Sequence, residues 1–306
     1  MTGGEMRVEA ASRKRSRLRF AILALSPAWL FLIVLIGYPL VRVLGDAFQH
    51  ANLVSGSTGF AGLSNFGKVF TDSHFSSAVF NTVVWTLGSV VGEYLLGLGS
   101  ALLLNRKMRG QAFFRVATLI PWLVPIIVAG MTWSWMLNPD FGIVNSMLKS
   151  WGLIDHSINF LGDKNWAMAT VIFVNIWRSF PYYTLSFLAA LQAIPGELYE
   201  AASLDGAGSW RRFRSVTFPQ LRSVSLIIVF IHLIWTAVNF DFIWVMTQGG
   251  PNYATVTLPI LIYRYSLQQF DVGAASALST LMLVGTSLIF IVYYRYRRRL
   301  SEELVG

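Results

Sequence analysis

Seven polar side chains recur at helical spacing within otherwise apolar sequence. Asn175, Arg178, Ser179 and Tyr182 stand at i, i+3, i+4 and i+7 and so share one face of a helix. His232, Thr236 and Asn239 repeat the arrangement at i, i+4 and i+7, with Asp241 off that stripe. Amides, hydroxyls, an imidazole and a guanidinium can together donate to and accept from a polyhydroxylated ligand. Two such stripes on neighbouring helices could equally bind each other, as polar residues do between helices in a membrane. A reaction centre is not what they form. The chain has no cysteine, hence no thiolate nucleophile, thiolate metal site or disulfide framework. Of its histidines, His50, His74 and His156 are scattered outside the long apolar stretches, and no paired acids or Ser/His set accompanies His232. No catalytic and no metal-binding residues are therefore expected.

The elements that must position these stripes follow from composition. Hydrophobic residues make up 55% of the 306 and charged residues only 13%, which suits lipid as the solvent. A net charge of +9 fits either a nucleic-acid binder or a membrane protein with basic cytoplasmic loops. The cations come in short blocks between long apolar runs rather than along a soluble face, which excludes nucleic acid and leaves the lipid bilayer. A bilayer core about 30 Å thick takes roughly 20 helical residues. Six windows qualify, namely Phe20 to Leu44, Ala78 to Leu104, Val116 to Leu137, Trp166 to Leu191, Val224 to Val245 and Val272 to Tyr294. The fold class expected is an all-α integral membrane protein with six transmembrane helices.

Direction follows from the Lys and Arg of the connections. Arg7, Arg13, Lys14, Arg15, Arg17 and Arg19 precede the first window, and Arg106, Lys107, Arg109 and Arg115 follow the second. Arg211, Arg212, Arg214 and Arg222 follow the fourth, and Arg295, Arg297, Arg298 and Arg299 the sixth. The other side has Lys68, Lys149, Lys164 and Arg264. Eighteen against four makes both termini cytoplasmic, which an even number of spans requires. The first window is too long for a signal-peptide core and reads as an uncleaved span. The chain then divides into a cytoplasmic tail 1–19, a six-helix domain 20–294 and a cytoplasmic tail 295–306. Arg42, Glu93, Arg178 and Asp241 are the only formal charges inside the windows. Arg42 is expected to snorkel outward and Glu93 to pair with a donor from another span. Pro121 and Pro125 should kink the third span, and Trp29, Trp122, Trp133, Trp135 and Trp235 read as interface anchors and packing.

The cytoplasmic loop 192–221 looks folded. Pro195 suits a first helical turn, Glu197 and Glu200 favour its positive end, and Ile194, Leu198, Ala201 and Ala202 recur at helical spacing. Asp205 and Gly206 then stop the helix, glycine tolerating the positive φ of a C-cap. Ser209 reads as the N-cap of a second short helix through Phe213 and Val216, ended by Pro219. An amphipathic segment resting on headgroups fits the same residues.

Glu200-Ala201-Ala202, Asp205-Gly206-Ala207, Phe213 and Val216-Thr217-Phe218-Pro219 resemble the EAA loop of permease subunits in binding-protein-dependent ABC importers. Valine and phenylalanine stand where that loop's closing I-x-L-P has isoleucine and leucine. Gly62-Leu63-Ser64-Asn65-Phe66, Asn81-Thr82, Phe141-Gly142, Leu188-Ala189-Ala190-Leu191, Thr247-Gln248-Gly249-Gly250-Pro251 and Asp271-Val272-Gly273 are similar to its carbohydrate branch, typified by maltose and glycerol-phosphate permeases. The resemblance implies a permease fold of that type in a bacterial inner membrane. Glu200, Ala201, Ala202, Asp205 and Gly206 would contact a cytoplasmic ATPase dimer that binds ATP and Mg, this chain binding neither. The other partners implied are a second permease of similar fold, an external solute-binding protein and a sugar. No G-x-x-x-x-G-K-[ST] loop occurs, and the one Gly-Lys pair, Gly67-Lys68, is followed by valine. Matched residue by residue, the sugar-contacting positions of the maltose permeases fall on Asn175, Arg178, Ser179, Tyr182, His232, Thr236 and Asn239. Arg178 and His232 depart from the maltose pattern and would suit a sulfonated, phosphorylated or acidic sugar. An ion-coupled secondary transporter is the alternative, though its usual inverted repeats are not evident; a membrane-embedded enzyme is a weaker one.

Overall fold

The computed structural model of the chain describes residues 22–106 and 108–303. The basic residues Arg7 to Arg19, Phe20 and Lys107, all used in the sequence reading, lie outside the described residues. The elements in order are α1 (Ile22–Asp46), β1 (Gln49–Asn52), β2 (Gly56–Phe60), α2 (Ser64–Thr71), α3 (Phe75–Leu104), α4 (Gln111–Leu123), α5 (Ile126–Met136) and α6 (Ile143–Ser150). Then follow α7 (Ala167–Gln192), α8 (Gly196–Leu204), α9 (Ser209–Ala237), α10 (Asp241–Thr247), α11 (Leu258–Tyr263) and α12 (Val272–Glu303). Helices α1, α3, α9 and α12 are each long and apolar enough to cross a bilayer, and α4 with α5 would make a fifth crossing. Helix α7, at 26 residues, has the length as well and carries the first polar stripe. Helix α12 runs on to Glu303, so Tyr294 is not a helix end.

Three expectations are corrected. The third window is not one helix: α4 and α5 meet at 92°. Pro121 lies inside α4, Val124 is extended and Pro125 caps α5, so the two prolines do more than kink the span. The fifth helix stops at Ala237 rather than Val245 and resumes only as the short α10. No proline causes that break. Asn239 Oδ1 accepts from the Phe242 amide at 3.1 Å, a side-chain bond that replaces a backbone one. In the loop, Gly208 and not Ser209 is the N-cap, and Pro219 does not end the helix. The turn over Phe213–Thr217 is π-helical, with the Phe218 amide donating to the Phe213 carbonyl five residues back. That wide turn makes room for the proline ring, and the helix continues to Ala237.

The seam between α3 and α7 is built from small residues. A Cβ on Gly92 would collide with Ile176, and one on Gly97 with Tyr183 Cβ, the Phe180 carbonyl and the Thr184 amide. Glycine there lets the two backbones touch. At the end of the bundle that carries the hairpin, the short motifs lock onto one another. Asn65 Nδ2 donates to the carbonyls of Ala47 and Gln49, and Gly273 leaves the space that Asn65 fills. Asn81 Nδ2 donates to the Tyr253 and Val256 carbonyls, while Thr82 Oγ1 accepts from the Leu258 amide. Two apolar cores result. One around Trp85, Phe242, Ile260 and Leu278 lies toward the hairpin, and one around Tyr183, Phe187, Leu221 and Ile228 toward α8.

Candidate functional site

The two polar stripes face each other. Asn175, Arg178 and Ser179 from α7, His232 and Thr236 from α9, and Asn239 from the break after α9 line one cavity of about 100 Å³. Trp85, Trp122, Ile126 and Trp235 complete its wall. Tyr182 joins through His232, their ring centroids 4.7 Å apart. Tyr183 packs on the same imidazole at 4.7 Å and Trp235 at 5.7 Å, so the ring sits in an aromatic box. Trp85 Nε1 donates to the Thr236 carbonyl at 2.9 Å, fixing α3 against the end of α9. All seven stripe residues are thereby brought together, although Asn239 arrives on a turn and not on a continuous helical face.

Behind this wall lies Glu93 of α3, with 0% of its surface exposed. Its Oε1 accepts from Asn175 Nδ2 at 3.1 Å, and Oε2 is 2.8 Å from His232 Nδ1. The expected inter-span partners of Glu93 are thus two of the stripe residues. His232 is engaged by this carboxylate, whereas the buried Nε of Arg178, which also lines the cavity, has no hydrogen-bond partner among the described residues. Arg42 lies apart, exposed and 3.8 Å from Asp46.

At about 100 Å³ the cavity is well below the roughly 300–1,000 Å³ of small-molecule pockets. In this conformation it has room for a few waters, each claiming about 30 Å³. A sugar ring would enter only if the walls parted.

The residues expected to face an ATPase sit at the far end. Glu200, Ala201 and Ala202 lie on α8, Asp205 is its C-cap, and Gly206 has φ 74°. The Ala207 amide donates to the Ala202 carbonyl at 2.9 Å and closes the helix. Tyr199 Oη lies 3.0 Å from Thr217 Oγ1, and Arg212 donates to Ser203 Oγ at 3.1 Å, tying α8 to α9. No residue of α8 is buried.

The sequence reading missed Trp85, Trp122 and Trp235 as cavity walls. It also missed a third polar stripe, Thr86, Ser89 and Glu93 at i, i+3 and i+7, which the spacing alone could have revealed. Thr86 Oγ1 and Ser89 Oγ are buried with no hydrogen-bond partner among the described residues.

A family model described as "Binding-protein-dependent transport system inner membrane component" matches residues 93–302. The chain is 36% identical to the sulfoquinovosyl glycerol transport system permease protein SmoG of Agrobacterium fabrum, over 91% of this chain and 90% of that one. It is 36% identical to the trehalose/maltose transport system permease protein MalF of Thermococcus litoralis, over 78% and 81%. Among solved structures it resembles a chain of a bacterial ABC transporter involved in import of the acidic polysaccharide alginate, with a TM-score of 0.81, 23% identity and coverage of 94% and 98%. That likeness is one of fold.

Proposed function

The chain belongs to the family of binding-protein-dependent transport system inner membrane components, and from that premise we propose that it carries a sugar or sugar derivative through the cavity between α3, α7 and α9. It is an inner-membrane permease subunit of an ABC importer. In the proposed arrangement the six long segments cross the bilayer, α4 with α5 as one broken span, and both termini and α8 are cytoplasmic. Residues 20–294 form the translocation domain, with tails 1–19 and 295–306. Glu200, Ala201, Ala202, Asp205 and Gly206 contact an ATPase dimer that holds ATP and Mg. A second permease of similar fold completes the path, and an external solute-binding protein delivers the sugar.

The observation that carries the reading is the meeting of Asn175, Arg178, Ser179, Tyr182, His232, Thr236 and Asn239 around one cavity. Helices that merely used polar residues as glue would bond them to each other. Glu93 does bond Asn175 and His232 across helices, but Arg178 Nε and His232 Nε2, on two residues that line the cavity, are buried with no hydrogen-bond partner among the described residues, and a parting of the walls would free them for a ligand. Arg178 is then the group that would read an anionic substituent, because guanidinium matches sulfonate, phosphate and carboxylate in a two-pronged way.

The test is to express the chain with its genomic neighbours, purify what accompanies it in mild detergent and measure ATPase stimulation by sugars in the presence of the binding protein. A stoichiometric ATPase and a second permease are expected. Recovery of this chain alone, active without any ATPase, would overturn the reading. Arg178→Ala should abolish uptake of an anionic sugar and only weaken that of a neutral one; equal loss with both removes Arg178 as a charge selector.

A further inference from the structure

We propose that Glu93 is a positioning residue of this cavity: without touching the sugar, it fixes which atoms of Asn175 and His232 the sugar meets. The inference rests on the reading of the cavity as the sugar site.

Glu93 is fully buried and forms no part of the cavity wall, so its role runs through the residues it holds. One carboxylate oxygen takes the amide nitrogen of Asn175 and the other takes Nδ1 of His232. An asparagine amide turned end for end is nearly isosteric, and an imidazole flipped about its long axis fills much the same volume, so packing alone selects neither orientation. The aromatic box of Tyr182, Tyr183 and Trp235 confines the position of the His232 ring but not its flip. The carboxylate breaks both degeneracies at once. With Asn175 Nδ2 and His232 Nδ1 engaged behind the wall, the Asn175 oxygen and His232 Nε2 remain for the ligand, and Nε2 is buried with no partner. In the neutral ring with Nδ1–H given to the carboxylate, Nε2 and the Asn175 oxygen both accept, and two sugar hydroxyls, each donating its one O–H, can meet them. The hydrogen-bond partners of the carboxylate among the described residues are Asn175 and His232, so Arg178 does not relieve Glu93 of either contact. The same residue ties α3 to α7 and α9, so any parting of the walls must move these helices with their ligand atoms still aimed.

The experiment uses the assembled importer with its ATPase and binding protein. Trehalose, maltose and sulfoquinovosyl glycerol serve as probes. Histidine-selective 15N spectra, with the His232 signals identified by their loss in His232→Gln, report the ring directly. One ring state is expected in the native complex and more than one in Glu93→Gln. The sugar concentration for half-maximal ATPase stimulation should rise at least about tenfold in Glu93→Gln, the size expected for two misplaced hydrogen bonds. In the His232→Gln background the further effect of Glu93→Gln should shrink to about half or less of that on a logarithmic scale, the remainder passing through Asn175.

A single ring state in Glu93→Gln, or effects that simply add, overturns the positioning role whatever the sugars do. A disturbed ring with unchanged sugar dependence in Glu93→Gln, His232→Gln and Asn175→Ala overturns the sugar reading, and the inference falls with it. Should Glu93→Gln fail to assemble, Glu93→Asp keeps the carboxylate one methylene short and is scored by the same two readouts.

Discussion

The cavity and the α8 loop are opposites in how they are held. On its inner side the cavity is packed: Glu93 is sealed off, Trp85 spans from α3 to α9, and α3 and α7 touch through glycines, while the wall residues Trp122 and Trp235 are 42% and 60% exposed. On α8 nothing is buried, Leu204 is 90% exposed, and Trp210 just beyond it is 73% exposed. Both residues lie in the loop that the proposed function turns toward an ATPase. The difference teaches what each region does in isolation. The inner side of the cavity is held by contacts within this chain, whereas α8 is held to the bundle by the Tyr199–Thr217 and Arg212–Ser203 hydrogen bonds.

The comparison breaks most severely at the α3–α7 seam. Gly97→Val places a side chain against Tyr183 and against the backbone of Phe180 and Thr184, none of which is a flexible side-chain end. Overpacking that forces backbone to move costs about 1–3 kcal/mol, and the upper end is expected here, where the Cβ itself has no room. Loss of monodisperse protein in detergent, or a fall in melting temperature of many degrees, is expected. Gly99→Val, whose Cβ would meet nothing within 4 Å, is the control. Equal behaviour of the two variants would show that the seam is not tight.

On the loop side the chain should tolerate change and the assembly should not. Leu204→Glu removes an exposed apolar contact and adds a charge, so the melting temperature of the isolated chain should hold while ATPase capture weakens by about 2 kcal/mol, roughly thirtyfold. Gly206→Val comes next. Its Cβ would meet nothing, so the whole cost is the left-handed backbone, about 1–2 kcal/mol for an L-residue. The spans should stay folded and stimulated ATPase activity should fall about tenfold; undiminished stimulation by a purified variant complex would count against a coupling role.

Much of the cavity was legible because a helix buried in lipid keeps its 3.6-residue period: Asn175, Arg178, Ser179 and Tyr182 needed only counting. Gly206 was legible too, since its positive φ is a demand that few residues besides glycine meet. What escaped was pairing across elements. The charge of Glu93 flagged it, yet nothing in one chain's order says that α7 and α9 both turn toward it. Tryptophans are used alike at interfaces, in packing and as walls, so Trp122 and Trp235 carried no directional mark. Local backbone adjustments hid as well. Pro219 reads as a stop unless the π-helical turn before it is known, and the break at Asn239 depends on a side chain replacing a main-chain bond.

The smallest effects are expected on the surface of the hairpin end, at an ion pair that is neither sealed like Glu93 nor unclaimed like α8. Lys68 pairs with Asp271, but the lysine side chain is 56% exposed, and pairs of that kind contribute at most about 1 kcal/mol after screening. Asp271 does a second job: its Oδ1 accepts from the Ala274 amide at 2.9 Å, capping the start of α12. Lys68→Ala should therefore lower the melting temperature by only a degree or two, in line with a loss below about 1 kcal/mol. Asp271→Ala should cost about 1–2 kcal/mol, because an uncapped amide is added to the lost pair. If the two variants melt alike, the cap contributes nothing and the ion pair carries the whole contact. A Lys68→Ala effect that persists at high salt would instead mean that the pair is shielded from solvent by a partner chain, which would extend to this end the property that marks the α8 loop.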